Sequence, residues 1–562
     1  MGAQIQHLHT YFLFPFWMNR ELVTREHDEQ WKKHQHWLTG LDECIAVSSR
    51  AAQATPAGRL GCWQRASYSG SDMDSTTYQD MVFFHPFVRR IFFDTGEDSS
   101  HRAGREALIR CYTIPLEAGR KVWLEAADVR GRSAKVQVTD LRLFLFANGM
   151  GILAIGVEAW NLSAADALWI NETMRKTYPS SGRQIREGRA ANLYRLSVEE
   201  NGREEALVEE RFENCKLHGF QPPLSKIITS LLYFLNFEKH EYEQLLDERM
   251  IVYSYAGIDP ASVEPEFASS AAYEVLLSRF LYVDRDGDRY RYEPEFTREQ
   301  MKQHVYRRWA HEGTNYGFTS YSNVTLTLGV YDRGEHVVKE GFLIHRMFDT
   351  RYYLMAVVAL FYRATMLDFA QKTALVSRRL FRDQEAGQLS RGNIESATRL
   401  RSEFLHFSNY WYFEELANKD EEIEHFTMQC RAYRIGAMKS EVEQEIEKLN
   451  ASLHEYHQAR STDAVNRLAM LSMILGAGAV LTGFFGMNFG LDFGRLFFTP
   501  EPQNSWLHYV AIAGVTAMAF GALAFGVYIV MSNPADYRDI LMPRGLQTKP
   551  KQRWYSLKRS DS

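Results

Sequence analysis

Two long uncharged stretches near the C-terminus dominate the pattern of apolar and polar positions along the chain. The first, residues 468–488, has the sequence LAMLSMILGAGAVLTGFFGMN, and the second covers residues 510–531. A bilayer core of about 30 Å needs roughly 20 helical residues, and both stretches have that length. Buried helices of soluble proteins seldom remain free of charge for so long. The pattern therefore predicts two membrane-spanning helices.

The segment between the two predicted spans is short and contains Pro500 and Pro502, so the spans form a helical hairpin. The tail beyond them is rich in basic residues: Arg538, Arg544, Lys549, Lys551, Arg553, Lys558 and Arg559. Basic residues next to a span favour the cytoplasmic side of a membrane. We therefore expect a multi-pass protein of the inner (plasma) membrane with both termini in the cytoplasm. Two helices cannot enclose an aqueous path alone, so a pore requires several subunits.

The chain is predicted to be helical from Thr350 up to the first span. Residues 352–361 are apolar, but Arg363 and Asp368 follow them, which favours a core helix over a third span. A second helical stretch covers residues 394–417.

A third helical stretch begins near Glu424. Its apolar residues recur at spacings of three and four: Ile435, Met438, Val442, Ile446, Leu449, Leu453 and Tyr456. Such a stripe packs along another helix. No Pro separates it from the first span, so we expect one helix from Glu424 to Phe485, roughly 90 Å long. Two helices with a break at residues 460–463 are the alternative.

Residues 1–345 are predicted to form a cytosolic α/β region with room for two subdomains. Strand-like runs cover residues 10–17, 108–114, 121–125 and 322–330. Residues 141–146 and 152–158 flank Asn148-Gly149 and predict a β-hairpin. Ser163 is placed to cap a helix over residues 164–177.

These predictions divide the chain into six parts. They are the α/β region 1–345, the helical and stalk region 346–463, transmembrane helix 1 at 464–488, the outer loop 489–505, transmembrane helix 2 at 506–531 and the basic cytosolic tail 532–562.

One segment has the spacing of a calcium-binding loop. Asp284, Asp286, Asp288 and Glu295 occupy positions 1, 3, 5 and 12 of such a loop, but Arg289 stands where glycine is required. We interpret the segment as a β-hairpin that turns at Asp286-Gly287.

Composition excludes several classes of function. The chain of 562 residues carries a net charge of only -5, which argues against a nucleic-acid partner. Its five cysteines are far apart, which indicates a reducing compartment rather than a disulfide framework. The histidines are scattered, and we find neither a phosphate-binding glycine loop nor a nucleophile with a base. No enzymatic activity is predicted.

Gly486-Met487-Asn488 stands at the outer end of the first predicted span, before a short loop, a second span and a basic tail. This arrangement resembles the CorA family of Mg²⁺ transporters. The resemblance implies a CorA-like funnel, in which an α/β cytosolic domain is joined to a long stalk helix and two C-terminal transmembrane helices. It further implies a homopentamer that passes Mg²⁺ down its gradient and closes when internal Mg²⁺ binds between subunits.

The chemistry of Mg²⁺ agrees with a role for Asn488. Because Mg²⁺ sheds its water reluctantly, a selective pore mouth should hold the hydrated ion. A ring of Asn488 amides offers oxygens that accept hydrogen bonds from that water. Gly486 lets the backbone turn and pack closely, and Met487 supports Asn488. The alternative is that Asn488 merely caps the helix.

Other positions are candidates for contact with the ion. Leu468, Gly476 and Ala479 are the predicted pore-lining residues of the first span. Asp492 and Glu501 are the acids of the predicted outer loop, where their charge attracts cations.

The sequence departs from the family pattern at Phe485, where a Tyr is common, and at Gly476 and Ala479, which are smaller than the usual residues. The region before the first span is also unusually long. Three other functions therefore stay open: a Zn²⁺ or Co²⁺ carrier, a channel gated by a small cytosolic ligand such as a nucleotide, and a membrane-anchored scaffold or enzyme.

Overall fold

The structure is a computed structural model, and the chain divides into two units, Met1–Glu447 and Lys448–Ser562. It describes residues 2–19, 37–52, 57–68, 81–94, 108–117, 119–127, 131–178, 193–210, 224–237, 242–245, 249–285, 292–329, 343–385, 389–486, 506, 510, 513, 514, 516, 517, 520, 521 and 524.

The described strands all belong to the first unit. They are β1 (Gln4–Met18), β2 (Gln64–Arg65), β3 (Ile109–Thr113), β4 (Arg120–Ala127), β5 (Ser133–Phe146), β6 (Met150–Ser163), β7 (Leu193–Glu200), β8 (Arg203–Glu209), β9 (Tyr242–Gln244), β10 (Ile251–Ile258), β11 (Val305–Tyr306), β12 (Asn315–Phe318) and β13 (Ser322–Leu328).

The α-helices are interrupted by two π-helical turns, at Phe348–Tyr352 and Phe407–Trp411. They are α1 (Trp37–Ala52), α2 (Pro86–Phe92), α3 (Ala164–Met174), α4 (Lys226–Leu231), α5 (Ala271–Tyr282), α6 (Pro294–His304), α7 (Leu343–Met347), α8 (Tyr353–Glu385), α9 (Arg391–His406), α10 (Asp420–Ala432) and α11 (Ile435–Gly486).

One sheet organises the first unit. Its main path runs β11-β12-β13-β10-β1-β6-β5-β4-β7-β8, with β2, β3 and β9 attached at its side. The central strand β1 pairs antiparallel with both β6 and β10. The strand predicted for residues 10–17 is confirmed, and it begins earlier, at Gln4. Its centre is buried on both faces, as expected for a strand in the middle of a covered sheet.

The hairpin predicted at Asn148-Gly149 is confirmed by the pairing of β5 with β6. Gly149 has a φ of 98°, a conformation that glycine adopts without steric cost. The capped helix is also confirmed, because the Ser163 side chain accepts a hydrogen bond from the Asp166 backbone N–H. That helix, α3, ends at Met174 rather than at Thr177.

Side chains at alternate positions of β1 serve different faces of the sheet. Leu8, Phe12 and Phe14 join the main hydrophobic cluster, which includes Leu168 of α3 and Leu277 of α5. The opposite positions of β1 face α7, the first π-helical turn and α8, since the His7 ring contacts His345 and the Tyr11 ring contacts Phe348 and Tyr353.

The interpretation of residues 280–292 as a β-hairpin is wrong for its first predicted strand, residues 280–283. Phe280 and Tyr282 lie in α5, and Val283 ends that helix in the left-handed conformation, with a φ of 51°. Four apolar residues in a row, 280–283, fit a buried helix end as well as a strand, so the local pattern did not distinguish the two structures. Residues 286–291 lie outside the described part of the chain.

The long helix predicted from Glu424 is divided into two helices. The division does not lie at residues 460–463, where the alternative prediction placed it. Arg434 has a φ of 57°, which separates α10 from α11. Helix α11 then continues without a break through residues 460–463. Its 52 residues give a length of about 78 Å at 1.5 Å per residue.

Residues 352–361 belong to a helical segment, Ile344–Glu385, that is long and apolar enough to cross a membrane. However, 78% of its apolar window is buried inside the protein. Phe361 stacks on Phe146 of the sheet with ring centres 4.3 Å apart. This burial is typical of a core helix, in agreement with the prediction. The next predicted helix is shorter than expected, since α9 ends at His406 and a π-helical turn follows.

Candidate functional sites

The predicted selectivity motif is only partly within the described residues. Gly486 is the last residue of α11. Met487, Asn488, Asp492 and Glu501 lie outside the described part of the chain. Their roles therefore remain predictions from the sequence.

The end of α11 presents apolar side chains to its surroundings. Leu468 is 66% exposed, Met473 is 73% exposed and Leu475 is 66% exposed. The small residues Gly476 and Ala479 are exposed as well. A contiguous apolar surface of this kind is typical of a segment that is covered by lipid or by other protein chains. Among the described residues of the second predicted span, Trp506, Val510 and Phe520 are likewise exposed.

A second candidate site lies in the first unit, between the sheet and the segment from α7 to α8. We call it the polar layer. Its members are His7, His9 and Tyr11 of β1, Asp140 and Arg142 of β5, Glu158 of β6, His345 of α7, and Asp349 of the π-helical turn. Aromatic rings frame it: Phe348 stacks on Tyr253 of β10 at 4.4 Å, and Tyr353 lies 4.4 Å from Tyr11.

Three histidines and one carboxylate form one end of this layer, and we call them the His–Glu cluster: His7, His9, Glu158 and His345. Because β1 pairs with β6, His9 lies directly opposite Glu158. His9 Nδ1 is 2.8 Å from His345 Nε2 and 3.5 Å from the Glu158 carboxylate, and His7 Nε2 is 3.6 Å from that carboxylate. Ligand atoms of His7, Glu158 and His345 all lie within 4.8 Å of one another.

Burial sets the charge state of this cluster. It lowers the pKa of His9 to about 3 and, together with the nearby His7, lowers the pKa of His345 to about 4. Burial alone would raise the pKa of Glu158, but the neighbouring histidines outweigh it and lower that pKa. At neutral pH His9 and His345 are therefore uncharged, and Glu158 is an anion.

The other end of the polar layer is built around Tyr11. Its hydroxyl donates a hydrogen bond to Asp349 and lies 3.2 Å from Asp140. Arg142 forms an ion pair with Asp140 and lies over the Tyr353 ring. Burial raises the pKa of Asp140, and the Arg142 guanidinium opposes that rise. This end of the layer therefore contains one guanidinium, that of Arg142, and two carboxylates, those of Asp140 and Asp349.

A smaller buried cluster lies where the same helical segment meets α10. Arg351 of the π-helical turn donates to Glu422 at 2.9 Å. Tyr352 stacks on His425 with ring centres 4.3 Å apart. Burial lowers the pKa of His425 to about 3. π-Helical turns often occur at functional sites.

Reasoning from the sequence missed the His–Glu cluster, because His345 is 336 residues from His9. One local signal was present. His7 and His9 alternate along β1, and residues at i and i+2 of a strand point to the same face.

The chain thus combines an α/β unit with a long helix whose end exposes apolar side chains. Residues 346–528 match the family model described as CorA-like Mg2+ transporter protein. The match covers α8 to α11 and the Gly486-Met487-Asn488 motif. The resemblance drawn from that motif is therefore confirmed, and residues 346–528 form a CorA-like segment.

Two solved structures are similar to parts of this chain. The complete structure of the CorA magnesium transporter from Methanocaldococcus jannaschii has 11% identity and a TM-score of 0.22, over 51% of this chain and 92% of that chain. The full-length CmaX protein has 14% identity and a TM-score of 0.19, over 50% of this chain and 90% of that chain. No curated protein matches this chain.

Proposed function

We propose that this chain is a membrane transporter of divalent cations, and that Mg²⁺ is its ion. One observation carries the proposal. Helix α11 continues without a break to Gly486, and its apolar side chains are exposed just before the Gly486-Met487-Asn488 motif. This segment lies inside the CorA-like match at residues 346–528.

The proposed pore is a homopentamer with one α11 per subunit around the axis. Asn488 forms the selectivity ring and accepts hydrogen bonds from water bound to Mg²⁺. Gly486 and Met487 hold that ring in place. Leu468, Gly476 and Ala479 line the path between the inner end of the pore and that ring.

The remaining parts of the proposal concern topology. Residues 1–345 and 346–463 lie in the cytosol, residues 464–488 and 506–531 span the inner (plasma) membrane, and residues 532–562 form a basic cytosolic tail. Asp492 and Glu501 of the outer loop, residues 489–505, attract cations to the mouth.

Ion flux into liposomes tests the proposal. Purified protein should pass Mg²⁺ down its gradient without ATP, as followed by a Mg²⁺-sensitive dye inside the vesicles. Asn488→Ala should abolish the preference for Mg²⁺ over Ca²⁺. Asn418→Ala is the matched control, because the Asn418 side chain is exposed in the first unit, and it should transport like the wild type.

Two outcomes would contradict parts of this proposal. Absence of flux for every divalent cation, from a protein that is still pentameric by native mass spectrometry, would exclude a carrier. Faster flux of Zn²⁺ or Co²⁺ than of Mg²⁺ would show that the transported ion is not Mg²⁺.

A further inference from the structure

The His–Glu cluster has the side chains of a metal site, and they come from three elements of the fold. His7 and His9 are on β1, Glu158 is on β6 and His345 is on α7. The pairing of β1 with β6 fixes three of them relative to one another. Packing of α7 against the same face brings the fourth within 2.8 Å of His9.

The cluster is built on buried side chains. His7 is 1% exposed and His9 is 2% exposed. Both ring nitrogens of His7, and Nε2 of His9, are buried without a hydrogen-bond partner. Leaving a buried polar atom unpaired is unfavourable, and the cost falls on each of these atoms. A bound cation would accept a lone pair from a ring nitrogen of His7 and from Nε2 of His9.

The orientation of His7 is fixed by its surroundings. Its ring stacks on Trp160 with centres 3.8 Å apart and planes 2° apart. Trp160 is itself about half exposed. The cluster therefore lies one side chain below the surface, which leaves a short path for an ion to enter.

Charge favours a cation at this position. Glu158 supplies one carboxylate directly, and Asp140 and Asp349 bring two more to the same layer, while Arg142 brings a guanidinium.

The donor atoms select the kind of metal. Mg²⁺ prefers oxygen ligands in octahedral geometry, whereas imidazole suits Zn²⁺, Co²⁺ and Ni²⁺. Three histidines and one carboxylate are a nitrogen-rich set of four, the number of ligands that zinc takes in closed sites. With Zn–N bonds of about 2.0 Å, tetrahedral ligand atoms stand about 3.3 Å apart. His9 Nδ1 lies 3.5 Å from the Glu158 carboxylate, close to this value, and the ligand atoms of His7, Glu158 and His345 lie within 4.8 Å of one another.

We propose that His7, His9, Glu158 and His345 form a binding site for one divalent transition-metal ion, distinct from the transport pore. The site joins the central strands of the sheet to α7, directly before the residue at which the CorA-like segment begins. A bound ion therefore fastens the α/β sheet to the start of that segment. The proposal does not depend on the proposed transport function.

Metal binding to the full-length protein in detergent tests the site, with Zn²⁺ alone and Co²⁺ alone as probes. The wild type should bind one Zn²⁺ per chain at this site, and Co²⁺ should give the intense visible absorption of a tetrahedral complex. His345→Ala and Glu158→Gln should each weaken Zn²⁺ binding at least tenfold and remove the Co²⁺ signal. Excess Mg²⁺ should not displace Zn²⁺.

The chain offers a matched control in a second histidine–carboxylate pair. His311 Nε2 lies 3.6 Å from Glu312, but both side chains are exposed by more than half. The variant His311→Ala/Glu312→Gln should therefore bind Zn²⁺ like the wild type. Equal losses in this control and in the cluster variants would overturn the proposal, as would wild-type protein that binds neither Zn²⁺ nor Co²⁺.

Hydrogen exchange of the wild type makes the test independent of whether a variant folds. Zn²⁺ should slow amide exchange in β1, β6 and α7, at least tenfold at the positions next to the cluster. Protection confined to other peptides would contradict the proposed site. Glu158→Gln is the milder substitution, because that side chain is partly exposed, and its circular dichroism without metal should equal that of the wild type.

Discussion

The two faces of β1 are buried to the same degree but differ completely in chemistry. Leu8, Phe12 and Phe14 on one face are at most 2% exposed and contact other apolar side chains. His7 and His9 on the opposite face are equally buried, yet they contact histidines, a carboxylate and aromatic rings.

Stability should therefore have a different origin on each face. The apolar face is stabilised by the area removed from water and by close packing. On the polar layer, burial is favourable only where charges and hydrogen-bond donors are balanced. A protein that needed only a stable sheet would gain from apolar residues on both faces. The polar layer is the face on which the metal site is proposed.

The largest change in the free energy of unfolding is expected from a substitution on the apolar face of β1. Phe12→Ala should lower the free energy of unfolding by about 3 to 5 kcal/mol, because it empties a fully buried site. Urea denaturation in detergent micelles, followed by circular dichroism, would measure it. Phe381→Ala is the control, since Phe381 is 60% exposed and its loss should change little. Equal effects at both positions would refute the assignment of Phe12 to the core.

Removal of the Arg142 charge tests whether balanced charges stabilise the polar layer. Arg142→Met should cost about 2 to 3 kcal/mol, because Asp140 is left without its cation in a largely buried position. The double variant Asp140→Asn/Arg142→Met should recover most of that loss. Arg391→Met is the control, because its partner Glu395 is exposed and such pairs contribute little. Without recovery in the double variant, charge balance would not be what stabilises this layer.

Two glycines of β6 allow the faces to be compared by one and the same change. A Cβ at Gly151 would lie 2.3 Å from the Phe16 ring, and a Cβ at Gly156 would lie 2.8 Å from the Tyr11 ring. Each substitution by Ala should cost about 1 to 3 kcal/mol through overpacking.

Metal binding should separate these two glycine variants. We expect Gly156→Ala to weaken Zn²⁺ binding, because it displaces Tyr11 two residues from His9, while Gly151→Ala leaves it unchanged. Isothermal titration calorimetry with Zn²⁺ would measure the difference. The reverse order would contradict the separation of the two faces.

The effect that is smallest near neutral pH concerns His425. Burial lowers the pKa of His425 from its usual 6.5 to about 3, so the unfolded chain binds this proton first as the pH falls. Stability contributed by neutral His425 is therefore present above about pH 6.5 and is lost between there and about pH 3, by up to about 1.4 kcal/mol per pH unit.

The variant His425→Phe keeps a ring against Tyr352 and should flatten the loss of stability in acid. Unfolding midpoints of variant and wild type, measured from about pH 7 down to about pH 4, would show the difference. Parallel curves would mean that the pKa of His425 is the same in the folded and the unfolded protein.

Much of the local structure was predictable because it depends on neighbours in sequence. The turn at Asn148-Gly149, the Ser163 cap and the strand at residues 10–17 are all short-range signals, and the structure contains each of them. The Gly486-Met487-Asn488 motif similarly needed only its place at the end of an uncharged run to indicate the family, and the match at residues 346–528 confirms that resemblance.

Other features depend on which distant segments come together. The helix at Phe280 was mistaken for a strand because a short apolar run fits either structure until its packing partners are known. The break at Arg434 had only a weak local signal, since Gly436 lies two residues beyond it and no Pro is nearby.

The sequence by itself determined the elements that depend on short-range signals, the uncharged runs and the family resemblance. Only the tertiary structure decided that His7 and His9 share a site with Glu158 and with a histidine far along the chain. Strand register and helix packing set such distances, and they arise from burial summed over the whole unit rather than from any local pattern.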